Sequence, residues 1–328
     1  MQVRAGEDYF ADRNILITPN GTAYQPDGAM TDENIKSTEL NVDAIIGKQF
    51  KINKNFNVSA LAEVNSRKAV IDQIDATGNT FQTPYLYTVG NLASPTEFTS
   101  NPVVVNKSIY GTLDFSYKNY LYLSATGRND WYSTLAPGET NYFYPSVSGS
   151  FVFSELLHVP GMDIGKIRVG CANVGGEADL PYQTLLGYNN IGNLNGFTIG
   201  NISNGGTVPN AHLQPSSISE FEVGTELTFF NNRLHVDAAY YNKKVSKEVI
   251  PSVTSGTSGY NAVLLNSGII QNKGLEFLVS GVLVKTKTFS WTEMLNLTYN
   301  NNKVLALSSG AGNYPLGYSR PVKTLDWG

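Results

Sequence analysis

The sequence runs to 328 residues with a formal net charge of −4, and only 15% of it is charged, well under the share of about 25% usual in soluble domains. A mildly acidic chain of this kind is not a nucleic-acid binder, no apolar run approaches the ~18 residues of a membrane helix, and a single cysteine, Cys171, excludes an internal disulfide. What remains is a β-rich chain with 19 Tyr, 15 Phe and 31 Gly.

Period-two alternation marks a strand with one apolar face. It begins at 40–50, where Leu40, Val42, Ala44 and Ile46 oppose Glu39, Asn41 and Asp43. It recurs at 56–65, where Phe56, Val58, Ala60 and Val64 oppose Asn57, Ser59 and Glu63. The segments 108–117, 121–130, 143–153 and 166–173 continue it, the last with Ile167, Val169 and Cys171 against Lys166 and Arg168. The segments 220–229, 234–241, 275–283 and 291–299 complete the series; in the first, Phe221, Val223 and Leu227 oppose Glu220, Glu222 and Glu226. That predicts about ten strands, many longer than the usual 5–6 residues and as long as the ~9–11 that a tilted strand needs to cross a bilayer.

The connections between them alternate. Short ones fall at 52–55, 118–119, 155–162, 231–232 and 285–288; long ones fall at 67–105, 132–141, 175–216 and 248–267. Short turns at one end and long loops at the other are the habit of outer-membrane barrels. On the ten apolar faces only Lys48 and Glu293 carry charge, both close to short turns, and Phe56, Tyr117, Tyr120, Phe151, Phe229 and Trp291 gather there as an interfacial girdle would.

Chemistry is sparse. No P-loop, no dinucleotide fingerprint and no metalloprotease or Cys-x-x-Cys motif occurs, so neither cofactor nor metal is expected. The three histidines, His158, His212 and His235, show no spacing that would pair one with Cys171. Glu220, Glu222 and Glu226 share a strand face, as a glycosidase carboxylate pair would, yet a wet barrel interior has the same pattern, and no enzyme is expected. Loop aromatics mixed with Asn and Gly (Tyr85, Tyr87, Tyr182, Tyr188 and Tyr260) suit capture of a sugar or peptide.

Several motifs in order carry a resemblance. Thr126 to Leu135, with Arg128-Asn129-Asp130-Trp131-Tyr132 at its centre, resembles a hallmark segment of the SusC/RagA family of TonB-dependent outer-membrane transporters. Tyr110 to Leu123 is similar to that family's strand–turn–strand, and Phe143 to Ser148, Asn231 to Leu234, Tyr240 to Lys244, Asn272 to Phe277 and Phe289 to Val304 fit it too. Two places depart from the pattern: Cys171-Ala172-Asn173 stands where an aromatic-Gly pair is usual, and Gln214-Pro215-Ser216 stands for Lys-Trp-Glu.

The resemblance implies an antiparallel transmembrane β-barrel of about 22 strands in the outer membrane of a Gram-negative bacterium. Residues 1–328 would be part of the barrel domain, with the plug and terminal strands outside them. It implies import of oligosaccharides or peptides, TonB acting through the plug, a SusD-like surface lipoprotein as partner, and contact with outer-membrane lipid. On this reading Arg128 and Asp130 contact plug or substrate near the outer rim, with Trp131 and Tyr132 where the strand meets its loop and Glu222, Glu226 and Asp237 deeper. A soluble secreted β-sandwich of adhesin or lectin type is the alternative.

Overall fold

The structure, a computed structural model, describes residues 1–177, 181–202, 206–307, 313–315 and 321–323. Almost every element is a strand. In chain order they are β1 (Gln2–Thr18), β2 (Ala29–Asn53), β3 (Phe56–Asn79), β4 (Thr96–Ser100), β5 (Val103–Tyr117), β6 (Leu121–Tyr132), β7 (Asn141–Val152) and β8 (Met162–Gly176). Then follow β9 (Tyr188–Leu194), β10 (Phe197–Ile202), β11 (Thr207–Val208), β12 (Ser216–Phe229), β13 (Leu234–Ser246), β14 (Val249–Val253), β15 (Ala262–Asn266), β16 (Ile269–Lys285) and β17 (Ser290–Ala306).

One twelve-stranded sheet has the order β1-β2-β3-β5-β6-β7-β8-β12-β13-β16-β17, with β4 paired to β3. Each strand therefore lies beside the strand before it once the loop strands are set aside. A sandwich needs strands to switch between two packed sheets; this meander does not, and its apolar face is left open. Leu123, Val147, Ile167, Val169, Phe277, Leu295 and Leu297 are all exposed. The soluble-sandwich alternative is thereby set aside.

The chain divides into two compact units: one comprises Ile45–Val64 with Ser108 onward, the other Gln2–Ala44 with Asn65–Lys107. In the first, the antiparallel registers Val147↔Cys171 and Val223↔Val169 bring apolar positions opposite one another, as do Ser148↔Gly170 and Glu226↔Lys166 for polar ones. Directly opposed residues share a face, so a single register fixes two chemically distinct surfaces. Cys171 is exposed on the apolar one.

The girdle is present at the short-turn end. Phe56 meets Phe115 and Tyr117 with centroids 6.3 and 6.4 Å apart, Tyr117 and Tyr120 stand edge to face at 5.4 Å, and Tyr120 and Phe151 at 6.1 Å. The two charges on the apolar face are screened nearby. The Lys48 ammonium lies 5.1 Å from the Phe50 ring, and Trp291 Nε1 donates to Glu293 Oε1 at 2.7 Å.

The second unit differs from expectation. β1 and residues 29–39 carry no alternation that marks a strand, and the predicted long loop at 67–105 shortens to 80–95, with the outer part of β3 before it and β4 and the start of β5 after it. At about 3.3 Å per residue, the 25 residues of β2 far exceed a bilayer crossing. Past Leu40 the face that carried Leu40, Val42 and Ala44 continues with Thr38, Lys36, Asn34 and Asp32. Both faces there are polar, and the alternation that reveals a half-buried strand is lost.

Candidate functional site

The polar face of β8, β12 and β13 carries an ionic row. Arg168 donates from Nη1 and Nη2 to the two carboxylate oxygens of Asp237, both at 2.9 Å, and from Nε to Glu222 at 3.4 Å. Lys166 reaches Glu226 at 3.3 Å. Register explains the reach: Arg168 on β8 sits opposite Gly224 on β12. A Cβ on Gly224 would lie 2.8 Å from the guanidinium carbon, so the absent side chain lets Arg168 cross β12 to the next strand. The fork geometry is the strong form of arginine–carboxylate pairing. Lys166, Arg168 and Glu222 border a trough of about 570 Å³ where Ser59, Ser116, Ser124, Ser148 and Ser150 mix with apolar Phe115, Leu123 and Val169.

At the long-loop end a second cluster forms. Arg128 Nε donates to both oxygens of Asp130 at 2.8 and 3.0 Å, Arg128 Nη2 donates to Ser108 at 2.9 Å, and the Tyr132 hydroxyl donates to Asp130 at 3.0 Å. Asp130 is buried, and Tyr132 packs with Leu135, Tyr144 and the fully buried Leu213. Burial, then Tyr144 and Asp130, push the Tyr132 hydroxyl far above its ordinary range, so it acts as a neutral donor.

Gln214, next to Leu213, ties three loops. Its Nε2 donates to Glu139 at 3.2 Å, its Oε1 accepts from Lys247 at 2.9 Å, and its backbone N–H and C=O bond Asn266 at 2.8 and 2.6 Å. This residue was missed by sequence reasoning except as a departure from the family pattern.

The structure brings Arg128, Asp130 and Tyr132 together, and Glu222, Glu226 and Asp237 around two cations that the sequence placed on the same face without singling them out. Trp131 pairs with Asn141, whereas Asp130 pairs with Tyr142, so Trp131 sits at the loop end of β6 and points to the opposite face from Asp130 and Tyr132. Strand neighbours always do. Of the loop aromatics, Tyr85, Tyr182, Tyr188 and Tyr260 are exposed. Tyr87 is half-buried and packs edge to face on Phe81 at 5.2 Å. The glutamates on β12 look unlike a catalytic pair, since Glu222 and Glu226 are each bonded to a cation.

In the second unit Arg13 forks onto Asp32 at 2.9 and 2.6 Å. The hydrogen bond from Arg13 holds the Asp32 carboxyl below its ordinary range. A folded-state value below the unfolded one stabilises above the unfolded value near 4 and is lost as pH falls through the folded one. Acidification from about pH 5 to 3 is therefore expected to loosen the outer β1–β2 pairing, read as faster amide exchange around residues 13 and 32. Asp32→Asn should abolish that pH dependence; exchange that still accelerates on acidification in Asp32→Asn would contradict the assignment.

Comparison with known proteins places these features in a family. The model described as TonB dependent receptor-like, beta-barrel matches residues 2–323. TonB-dependent receptor P26 of Formosa agariphila is 30% identical over 240 residues, 66% of this chain and 24% of that protein. TonB-dependent receptor SusC of Bacteroides thetaiotaomicron is 25% identical over 214 residues, 62% of this chain and 21% of that protein. The solved RagAB peptide transporter superposes with a TM-score of 0.83 at 19% identity, covering 98% of this chain and 37% of that one. The chain spans about a quarter of the length of the curated relatives it matches.

Proposed function

The chain belongs to the TonB-dependent receptor family, in the β-barrel that sits in the outer membrane of Gram-negative bacteria, and from that premise we propose that it supplies wall, lumen face and outward loops of a SusC-type importer. The cargo on this reading is an oligosaccharide, with short peptides as the other class. Residues 1–328 are assigned to the barrel domain. TonB provides the drive through a plug, and a SusD-like surface lipoprotein closes the outer mouth.

The observation that carries this reading is the two-faced strand. One face is apolar and open, as lipid requires, and the other holds the Arg168, Glu222 and Asp237 row beside a trough to which five serine hydroxyls contribute. Charges facing lipid at mid-bilayer cost about 2–4 kcal/mol each, so this row belongs in a wet interior. Sugar hydroxyls and peptide groups both suit a wall of serine hydroxyls and fixed charges.

The test is deletion of the gene for the full-length receptor, with growth followed on single oligosaccharides and on peptides. The expected result is loss of growth on one oligosaccharide class, restored by the intact gene and not in cells lacking TonB. Unchanged growth on every substrate, or rescue without TonB, would overturn the proposal.

A further inference from the structure

The outward loops of the Gln2–Ala44/Asn65–Lys107 unit are built with unusual care for segments so open. Met30, Phe81 and Leu92 form a buried cluster with Tyr87 and Val89 packed on it. Two asparagine amides pin the loops. Asn20 donates from Nδ2 to the Asp27 carbonyl at 2.9 Å and accepts from the Tyr85 backbone N–H at 3.0 Å, which stitches loop 19–28 to loop 80–95. The buried Asn91 accepts from the Thr83 N–H at 3.0 Å and donates to the Thr83 and Leu86 carbonyls at 2.8 and 2.7 Å.

What this scaffold holds up is an aromatic ring in water. Tyr85 is 75% exposed, and its backbone is held at φ +64°, a left-handed conformation that bulky residues rarely adopt and that costs free energy. Tyr24, in the tight turn closed by the Gln25 N–H to Thr22 C=O bond, is 82% exposed. Among the described residues neither side chain makes a hydrogen bond or a ring contact. Packing explains neither tyrosine, whereas it explains Tyr87, which packs on Phe81.

We propose that Tyr24 and Tyr85 form an outer stacking site for sugar rings, a first point of capture on the loops. This rests on the oligosaccharide reading above and adds the residues that meet the glycan first. A flat ring with only two side-chain torsions, on a fixed backbone, loses little entropy on binding, and its electron-rich face attracts the C–H-bearing face of a pyranose. The unit around it carries eleven Asp and Glu against six Lys and Arg. That excess repels acidic peptides and anionic glycans, so within the oligosaccharide reading the ligand class is a neutral oligosaccharide.

The test uses the purified full-length receptor in detergent, titrated calorimetrically with maltoheptaose, cellohexaose, mannohexaose and xylohexaose, and separately with a pool of neutral peptides. At least one sugar should bind. Tyr24→Ala and Tyr85→Asn should each weaken it by about tenfold, Tyr85→Phe should bind as wild type, and Tyr85→Leu should bind as weakly as Tyr85→Asn. Asn tolerates the left-handed backbone, so Tyr85→Asn keeps the loop, and unchanged heat-modifiable migration verifies the fold. Sugar binding that survives Tyr24→Ala and Tyr85→Asn would overturn the capture site and leave the importer reading intact. Binding retained in Tyr85→Leu would mean a general apolar contact and would overturn the stacking assignment. Peptide binding in place of sugar binding, or no sugar bound by the wild type, would overturn this site together with the oligosaccharide reading beneath it.

Discussion

Gly274→Val is expected to stop the β16–β17 pair from forming, and full-length receptor carrying it should fail to accumulate as a heat-modifiable barrel. Gly274 lies opposite Tyr241 on β13 and Asn300 on β17. A Cβ there would collide with the Tyr299 carbonyl oxygen and come within 2.7 Å of the Tyr241 hydroxyl. The first obstacle is backbone on a paired strand, which can yield only by giving up the ladder. Overpacking a relaxed core costs about 1–3 kcal/mol, and a rigid backbone obstacle belongs at or above the top of that range. Gly170→Ala is the control: its nearest neighbour would be Ser148 Cβ at 3.8 Å, an ordinary contact, and it should assemble as wild type. Normal migration of Gly274→Val would show that the strands do not meet in this register.

Arg168→Met is the second large effect. It leaves Asp237 on β13 and Glu222 on β12 without their shared cation, and Glu226, directly opposite Asp237, held only by Lys166. Removing one partner of a charge-assisted pair costs about 1.5–3 kcal/mol, and the side chains here are about one-third exposed, which places the loss toward the lower end. Arg168→Lys keeps the charge but not the fork, and a point charge cannot hold both oxygens of Asp237 while touching Glu222. The expected order of resistance to thermal unfolding is wild type, then Arg168→Lys, then Arg168→Met. Adding Asp237→Leu to Arg168→Met should recover part of the loss, because the orphaned carboxylate is then gone. Equal stability of all four proteins would show that the row is ornamental to the barrel.

Much of the main sheet is legible in sequence because one of its faces is apolar. Val147, Ile167, Val169, Phe221 and Val223 alternate with Ser148, Lys166, Arg168 and Glu222, and a two-residue period needs nothing else to be seen. The outer parts of β2 and β3 are not legible for the same reason. Where Asp32, Asn34 and Lys36 replace Leu40 and Val42 both faces are mostly polar in sequence, and the period carries no hydrophobic signal. The ionic row was half visible. Its members could be assigned to one face, but Arg168 reaching across β12 to Asp237 depends on Gly224 lying opposite it, a cross-strand register that no local pattern reports.

The loop residues divide in a similar way. Tyr87 and Tyr85 look alike in sequence, two residues apart, yet one packs on Phe81 and the other stands in solvent. That choice is made by Asn91, which bonds the backbone of its own loop, and by Asn20, which bonds the Tyr85 N–H from a loop 65 residues away. The face of Trp131 is legible from period alone, since a residue between Asp130 and Tyr132 on a strand must face away from both.

The central claim is that the apolar face of these strands meets lipid and the polar face does not, and Cys171 is a native reporter for it. The measurement places a thiol-linked fluorophore on Cys171 in full-length receptor free of other cysteines, reconstituted in bilayers with and without brominated lipid. The same label goes on Ser148→Cys in a Cys171→Ser background. Val147 and Cys171 share one face, Ser148 and Gly170 the other. Strong quenching at position 171 and little at 148 is the predicted result. Quenching at 148 that equals or exceeds that at 171 would contradict the barrel's orientation, and the account of its function with it.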